Sequence, residues 1–113
     1  MIKKWTFDND DLFDLVGRGI KRGTCCLYYD DESLSRVGET NIIYNSKNQQ
    51  IKVKITNVRI VRFCDINKDW AITEGEGDLS LTYWKNIHEN FFKNIKPDFK
   101  KTDLLELNEF VVI

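Results

Sequence analysis

The stretch IKVKITNVRIVRF, Ile51–Phe63, decides how this chain folds. Ile51, Val53 and Ile55 alternate with Lys52, Lys54 and Thr56, which is the period of a strand with one buried and one wet face. Beyond Thr56 the phase changes: Val58 and Ile60 carry the apolar set, then Val61 and Phe63 take over. A phase switch inside a long strand predicts a bulge or sharp bend, the device by which small sheets curl toward closure. Upstream, NIIYNSKNQQIKVKI reads as a hairpin with its tip at Ser46–Asn48.

Outward from this hairpin the chain alternates between helix and strand patterns. DNDDLFDLVGRG predicts a short helix with Asp8 or Asp10 as cap, Leu12, Leu15 and Val16 on one face, and Gly17 and Gly19 as stops. Trp5 and Phe7 precede it and are expected to staple it to the core. TCCLYYD from Thr24 reads as a strand, and the residues from Asp30 to Thr40 as a loop turning at Gly38. DINKDWAI predicts a helical turn with Trp70 inward. A helix then follows, with Asp78 as N-cap, Leu81, Trp84, Ile87, Phe91 and Ile95 on its inner face, and Pro97 as its stop. DLLELNEFVVI closes the pattern as one or two strands. The order α-β-β-β-α-β predicts a single α+β domain over residues 1–113 with a mainly antiparallel sheet or barrel.

Composition narrows the function. The chain has 113 residues, 42% hydrophobic and 31% charged, with a net charge of −1, so bulk charge does not point to nucleic acid. Three cysteines, two of them adjacent and none in CxxC spacing, give neither a disulfide framework nor a zinc motif. With no signal-peptide core and no apolar run of membrane length, the expected setting is cytoplasmic, with no membrane partner.

Four groups of residues carry chemistry. In GIKRGT, Gly19 and Gly23 flank Lys21 and Arg22, and Thr24 follows. A desolvated lysine can take the proton of a threonine, and glycines let a substrate approach the backbone. The same six residues also read as a helix end, a solvated turn and a strand start. In TEGEGDLS, Glu74, Glu76 and Asp78 offer a general acid/base or oxygen ligands for a hard cation. They read equally as an acidic lead into a helix N-terminus. His88 is the single histidine, which argues against a triad or a histidine metal site; at the edge of an apolar helix face it reads as structural or as lining a pocket. Lys52, Lys54, Arg59 and Arg62 could meet phosphates, or form a solvated sheet face.

Together these segments resemble the ASCH domain family. GIKRGT fits its GxKxxT pattern through Gly19, Lys21 and Thr24, and RVGET stands where the family has a KVGD-like turn. The run AITEGEGDLSLTYWKNIHENFF is similar to the second signature of one subgroup, through Ala71, Glu74, Gly75, Glu76, Gly77, Asp78, Leu81, Trp84, His88, Phe91 and Phe92. The resemblance implies a PUA-like fold, a small mostly antiparallel β-barrel flanked by helices, with Lys21, Thr24 and Glu74 meeting at a cleft. It implies RNA or a modified nucleoside as partner. For one branch it implies cofactor-free, metal-free hydrolysis of an acylated nucleoside: Thr24 as nucleophile, Lys21 activating it, Glu74 moving the proton. Gly19, Arg22, Gly23, Glu76, Tyr28, Tyr83 and Trp84 would surround the substrate, with Tyr28, Tyr83 or Trp84 stacking on a base. Other branches imply RNA binding without chemistry, or a divalent-metal-dependent ribonuclease. The chain departs from the amidohydrolase branch at Arg22 and Gly23, where hydroxyl residues are usual, and at Cys25 and Cys26, where an arginine is usual.

Overall fold

In a computed structural model that describes residues 2–7, 9–29 and 34–113, the hairpin and its bend organise the molecule. The strands β3 (Thr40–Tyr44) and β4 (Gln50–Arg62) pair antiparallel around the predicted tip. Strand β4 also pairs with β5 (Leu104–Val112), and the register slips between Ile55 and Asn57, at the expected phase switch. Strand β2 (Gly23–Leu27) pairs antiparallel with the other side of β5. The sheet order is β1-β3-β4-β5-β2, a curled five-stranded half-barrel flanked by three helices, in accord with the expected α+β barrel-like class.

Strand β1 (Lys3–Thr6) was not foreseen. It pairs parallel to β3, and Trp5 Nε1 donates to Asn41 Oδ1 at 2.8 Å. Four residues with two lysines carry too little alternation to read as a strand. Those same lysines suit an edge, where charge discourages further pairing.

The bulge leaves the two faces of the sheet with different tasks. On one face Ile43, Val53, Ile55 and Phe110 pack with Phe13 and Val16 of helix α1 (Asp10–Gly17). On the other, Leu27, Leu105 and Leu107 pack with Phe63, Trp70, Trp84, Phe92 and Phe99. Those residues come largely from α2 (Lys68–Glu74), with Trp70 inward as expected, and α3 (Leu81–Ile95). Burial of these large side chains, at about 25 cal/mol per Å² of apolar surface, is the main term holding the layers together.

Local details differ from the sequence reading. The α1 cap is Asn9, which accepts from Leu12 N; Asp8 lies outside the described residues, and Asp10 instead accepts from Ser46 at the hairpin tip. Ser80 rather than Asp78 caps α3, because its hydroxyl accepts from Tyr83 N. The buried face of α3 is Trp84 and Phe92, while Ile87, Phe91 and Ile95 are exposed. The loop expected at Asp30–Thr40 is described only from Leu34 onward.

Candidate active site

The GIKRGT turn and the TEGEG loop, distant in sequence, touch through their glycines. Gly19 has φ 74°, and Ile20 and Lys21 donate their N–H groups back to Leu15 O, folding the chain under the end of α1. Gly75 has φ 71°, and a Cβ there would sit 2.4 Å from Ile20 O, so only glycine allows the approach. A Cβ on Gly23 would fall 2.9 Å from Thr73 and from the Trp70 ring. Arg22 N donates to Thr73 O at 2.8 Å, tying the two segments together.

This approach buries Lys21 at 2% exposure beside Glu74 at 1%. Lys21 Nζ donates to Glu74 Oε1 at 3.0 Å, to Glu76 Oε2 at 2.7 Å and to Glu74 O at 3.3 Å. These use all three ammonium hydrogens. Glu74 Oε2 accepts from the indole N–H of both Trp70 and Trp84, each at 2.7 Å. His88 stacks on Trp84, donates Nδ1–H to Trp84 O at 2.9 Å and aims Nε2 at Glu74 Oε1, 3.7 Å away.

The electrostatics follow from burial opposed by pairing. Burial alone would push the Lys21 pKa down, but Glu74 and Glu76 overcome it and hold Lys21 above the ordinary lysine value, as an ammonium. Burial would raise Glu74, yet Lys21, His88 and the Trp84 N–H hold it well below the usual carboxylate range. His88 is lowered by burial and raised further by Glu74, with a net upward shift. Burial, reinforced by Glu74, pushes the Cys25 thiol up.

These groups form one wall of a cleft of about 840 Å³. Lys21, Thr24, Glu74, Glu76 and Tyr83 of the expected set all line it. The remaining five are placed elsewhere. Tyr28 lines a separate, smaller cavity; Trp84 is buried with its N–H committed to Glu74, so its ring cannot stack on a base. Arg22 is exposed outside the lining, Gly19 is a turn residue, and Gly23 serves the packing of Trp70. The cleft also shows His88, which the sequence reads as structural or pocket-lining, and Cys25, Glu106 and Asn108, which the sequence reading had not placed in it. For the last two a signal existed: LELNEF alternates, putting Glu106 and Asn108 on one face of a buried strand.

Donor atoms of Cys25, Glu74 and His88 lie within 4.8 Å of one another. The shared carboxylate already carries the Lys21 ammonium on Oε1 and two indoles on Oε2, so a cation there would face an existing positive charge. Glu74, Glu76 and Asp78 do not act as one ligand set: the first two hold Lys21, and exposed Asp78 accepts from Ser80 N.

The fold and this lysine–glutamate wall agree with the comparisons. The sequence matches the ASCH domain over residues 3–113, and the chain belongs to that family. It resembles the crystal structure of an ASCH domain from Lactobacillus crispatus at 29% identity and a TM-score of 0.89, covering 97% of this chain and 79% of that one. Protein EF3133 from Enterococcus faecalis is similar at 27% identity and a TM-score of 0.85, covering 100% and 80%. Among curated proteins no sequence matches. Among the described residues, no helix is long and apolar enough to cross a membrane.

Proposed function

We propose that the cleft binds a modified nucleoside and hydrolyses an amide on it, with Thr24 as nucleophile. The observation that carries this reading is the buried Lys21–Glu74–Glu76 cluster, which lines the same cleft as Thr24. Buried charge clusters are costly to desolvate, and perturbed titratable groups in clefts concentrate at functional sites, which favours a functional role. The lining charges favour a nucleoside over an RNA strand. Among the described lining residues, Lys3 and Lys21 face Asp11, Glu74, Glu76 and Glu106. Such a surface repels a phosphate backbone. The basic residues Lys52, Lys54, Arg59 and Arg62 lie outside the cleft.

The charge states shape the chemistry. Lys21 rests as an ammonium, so it serves as a relay. As Thr24 Oγ1 attacks the amide carbonyl, its proton passes to Lys21 while a Lys21 proton passes to Glu76. Thr24 must first displace the longest Lys21 bond, the one to Glu74 O. Glu76, now a carboxylic acid, protonates the leaving nitrogen, the C–N bond breaks and the acyl group remains as an ester on Thr24. The Glu76 carboxylate then takes a proton from water, which attacks the ester. The same proton returns through Lys21 to Thr24 as the acid leaves. Glu74, assigned the proton by resemblance, fits better as the fixed anion that holds Lys21, because both indoles and the ammonium stabilise its charged form.

Release of free carboxylic acid from acylated nucleosides, measured with chelator present, tests the reading. Turnover lost in Thr24→Ala and in Lys21→Ala supports it, and undiminished turnover in Thr24→Ala removes Thr24 from the nucleophile role. A second reading, binding without chemistry, is favoured by the saturation of Lys21, whose hydrogens are all spent on Glu74 and Glu76. It predicts nucleoside or RNA binding with no turnover, and for RNA an affinity that falls steeply with salt.

A further inference from the structure

Three large side chains of α3 stand where hydrophobic spacing does not put them. Tyr83, Ile87 and Phe91 follow one another at four-residue intervals and form one row along the helix. The spacing assigns Ile87 and Phe91 to the core, yet they are 44% and 40% exposed, and Tyr83 is 37% exposed. All three line the cleft that holds Thr24 and the lysine cluster. A second apolar row lines the same cleft: Leu12 and Leu15 of α1, and Phe7 just before that helix.

Both rows begin at the charge cluster. The Phe7 ring centroid lies 5.4 Å from Lys21 Nζ, and Leu15 O accepts from the Lys21 N–H. The Tyr83 ring lies against Gly77, next to Glu76; a Cβ on Gly77 would collide with it, so glycine there lets the ring settle on the glutamate loop. Apolar side chains exposed singly need no account, but a set of them inside one cleft marks a ligand surface. The proposed hydrolysis uses the charged end of the cleft and leaves these rows idle. A nucleoside alone covers them poorly, because its sugar is hydroxylated and only the faces of its base are apolar. At about 840 Å³ the cleft stands toward the upper end of the roughly 300–1,000 Å³ typical of small-molecule sites, which leaves room for a further, apolar part of the substrate. The rows start at the residues assigned to cutting the amide, which favours a group attached to that amide as their occupant.

We infer that the acyl group of the substrate is an apolar chain longer than acetyl, received by Phe7, Leu12 and Leu15 from one row and by Tyr83, Ile87 and Phe91 from the other. This deepens the hydrolysis reading and rests on it for the amide. The chain buries apolar surface that the free protein leaves in water, a gain of roughly fourfold in affinity for each methylene covered, or about 0.8 kcal/mol. The six side chains set specificity for the acyl group and move no proton. Lys21, Glu76 and Thr24 act on the carbonyl end, and the rows hold the tail.

The test is a ratio of affinities, read without turnover. Cytidine carrying an acetyl group on its amino nitrogen and cytidine carrying a hexanoyl group there share the nucleoside and the amide and differ by four methylenes. Each is titrated by calorimetry into the Thr24→Ala protein, where the proposed reaction cannot consume it. The hexanoyl compound is expected to bind at least ~10-fold more tightly, the gain from covering about half of the added methylenes. In the same background, Ile87→Ser and Phe91→Ser should each lower that ratio by ~3-fold or more, and the two together should bring it within about twofold of unity. Both side chains are exposed, so the variants are expected to fold, and a row that served only packing would move the melting temperature and leave the ratio alone. Equal affinity for the two compounds, or a ratio that survives the double substitution, overturns the acyl site and leaves the nucleoside reading standing. Binding of neither compound overturns both.

Discussion

Glu74→Gln is the substitution that most directly tests the account of the site. Both indoles donate to Oε2, so a glutamine would keep its carbonyl oxygen there and turn its NH₂ toward Lys21. The ammonium would then face a donor at the position now occupied by an acceptor 3.0 Å away. The opposite orientation sets the NH₂ against two indole N–H groups. Either way a buried charge loses its principal partner, at a cost of about 3–5 kcal/mol. At roughly 2.1 cal/mol/K of unfolding entropy per residue, a chain of 113 residues shifts its Tm by about 4 °C per kcal/mol. The expected drop is therefore ~12–20 °C in a thermal melt followed by circular dichroism at pH 7. Adding Lys21→Met should recover much of it, because the stranded charge is removed together with its partner. A drop below about 4 °C in the single variant would refute the picture of a buried ammonium that depends on Glu74.

Three further outcomes follow from the same geometry. Trp84→Phe keeps an aromatic side chain but removes the N–H that Glu74 Oε2 accepts and leaves a cavity where the larger indole stood, and should lower stability by at least about 1.5–3 kcal/mol in a denaturant titration. Gly75→Ala places a methyl against Ile20 O in left-handed backbone; it should destabilise the fold by roughly 2 kcal/mol or more and loosen the contact between the two loops, seen as faster amide exchange at Arg22. Stability should also depend on pH from both sides. Glu74 is lowered in the folded state, so its contribution is present above its unfolded pKa of about 4.3 and is lost as pH falls through the folded value. His88 is raised, so its contribution is complete below about 6.5 and is lost as pH rises through the folded value. Melts of His88→Gln across pH 5–9 should lack the alkaline decline; a decline equal to that of wild type would assign it to another group.

The periodicity of the chain revealed the hairpin, the bend in β4 and the inward Trp70, because each leaves a local mark in hydrophobic spacing. It did not reveal β1, whose four residues are held by partners on β3 and carry little pattern of their own. Helix caps were misplaced by one or two residues because Asn9 and Ser80 stand beside acidic neighbours that look equally suitable. The convergence of Lys21 with Glu74 came from family resemblance, since no spacing rule joins residues 53 positions apart. His88 could be read only as structural or pocket-lining, because its partners, Glu74 and the Trp84 carbonyl, are fixed by tertiary packing and by the helical turn. Tyr28 was expected at the site from its aromatic character, and it lines another cavity.

The strand that completes the cleft is the last of the five in sequence, yet it lies between β4 and β2. Thr24 meets its cross-strand neighbour Asn108 only once β5 has docked. During synthesis the β3–β4 hairpin can form early, from contacts close along the chain, while β2 waits for a partner made about 80 residues later. A nascent chain therefore exposes the β2 edge until β5 has been made, and only then gains its pocket. Ribosome stalling before Leu104 would leave a product with the lysine turn and the glutamate loop but without the strand that joins β2 to the rest of the sheet.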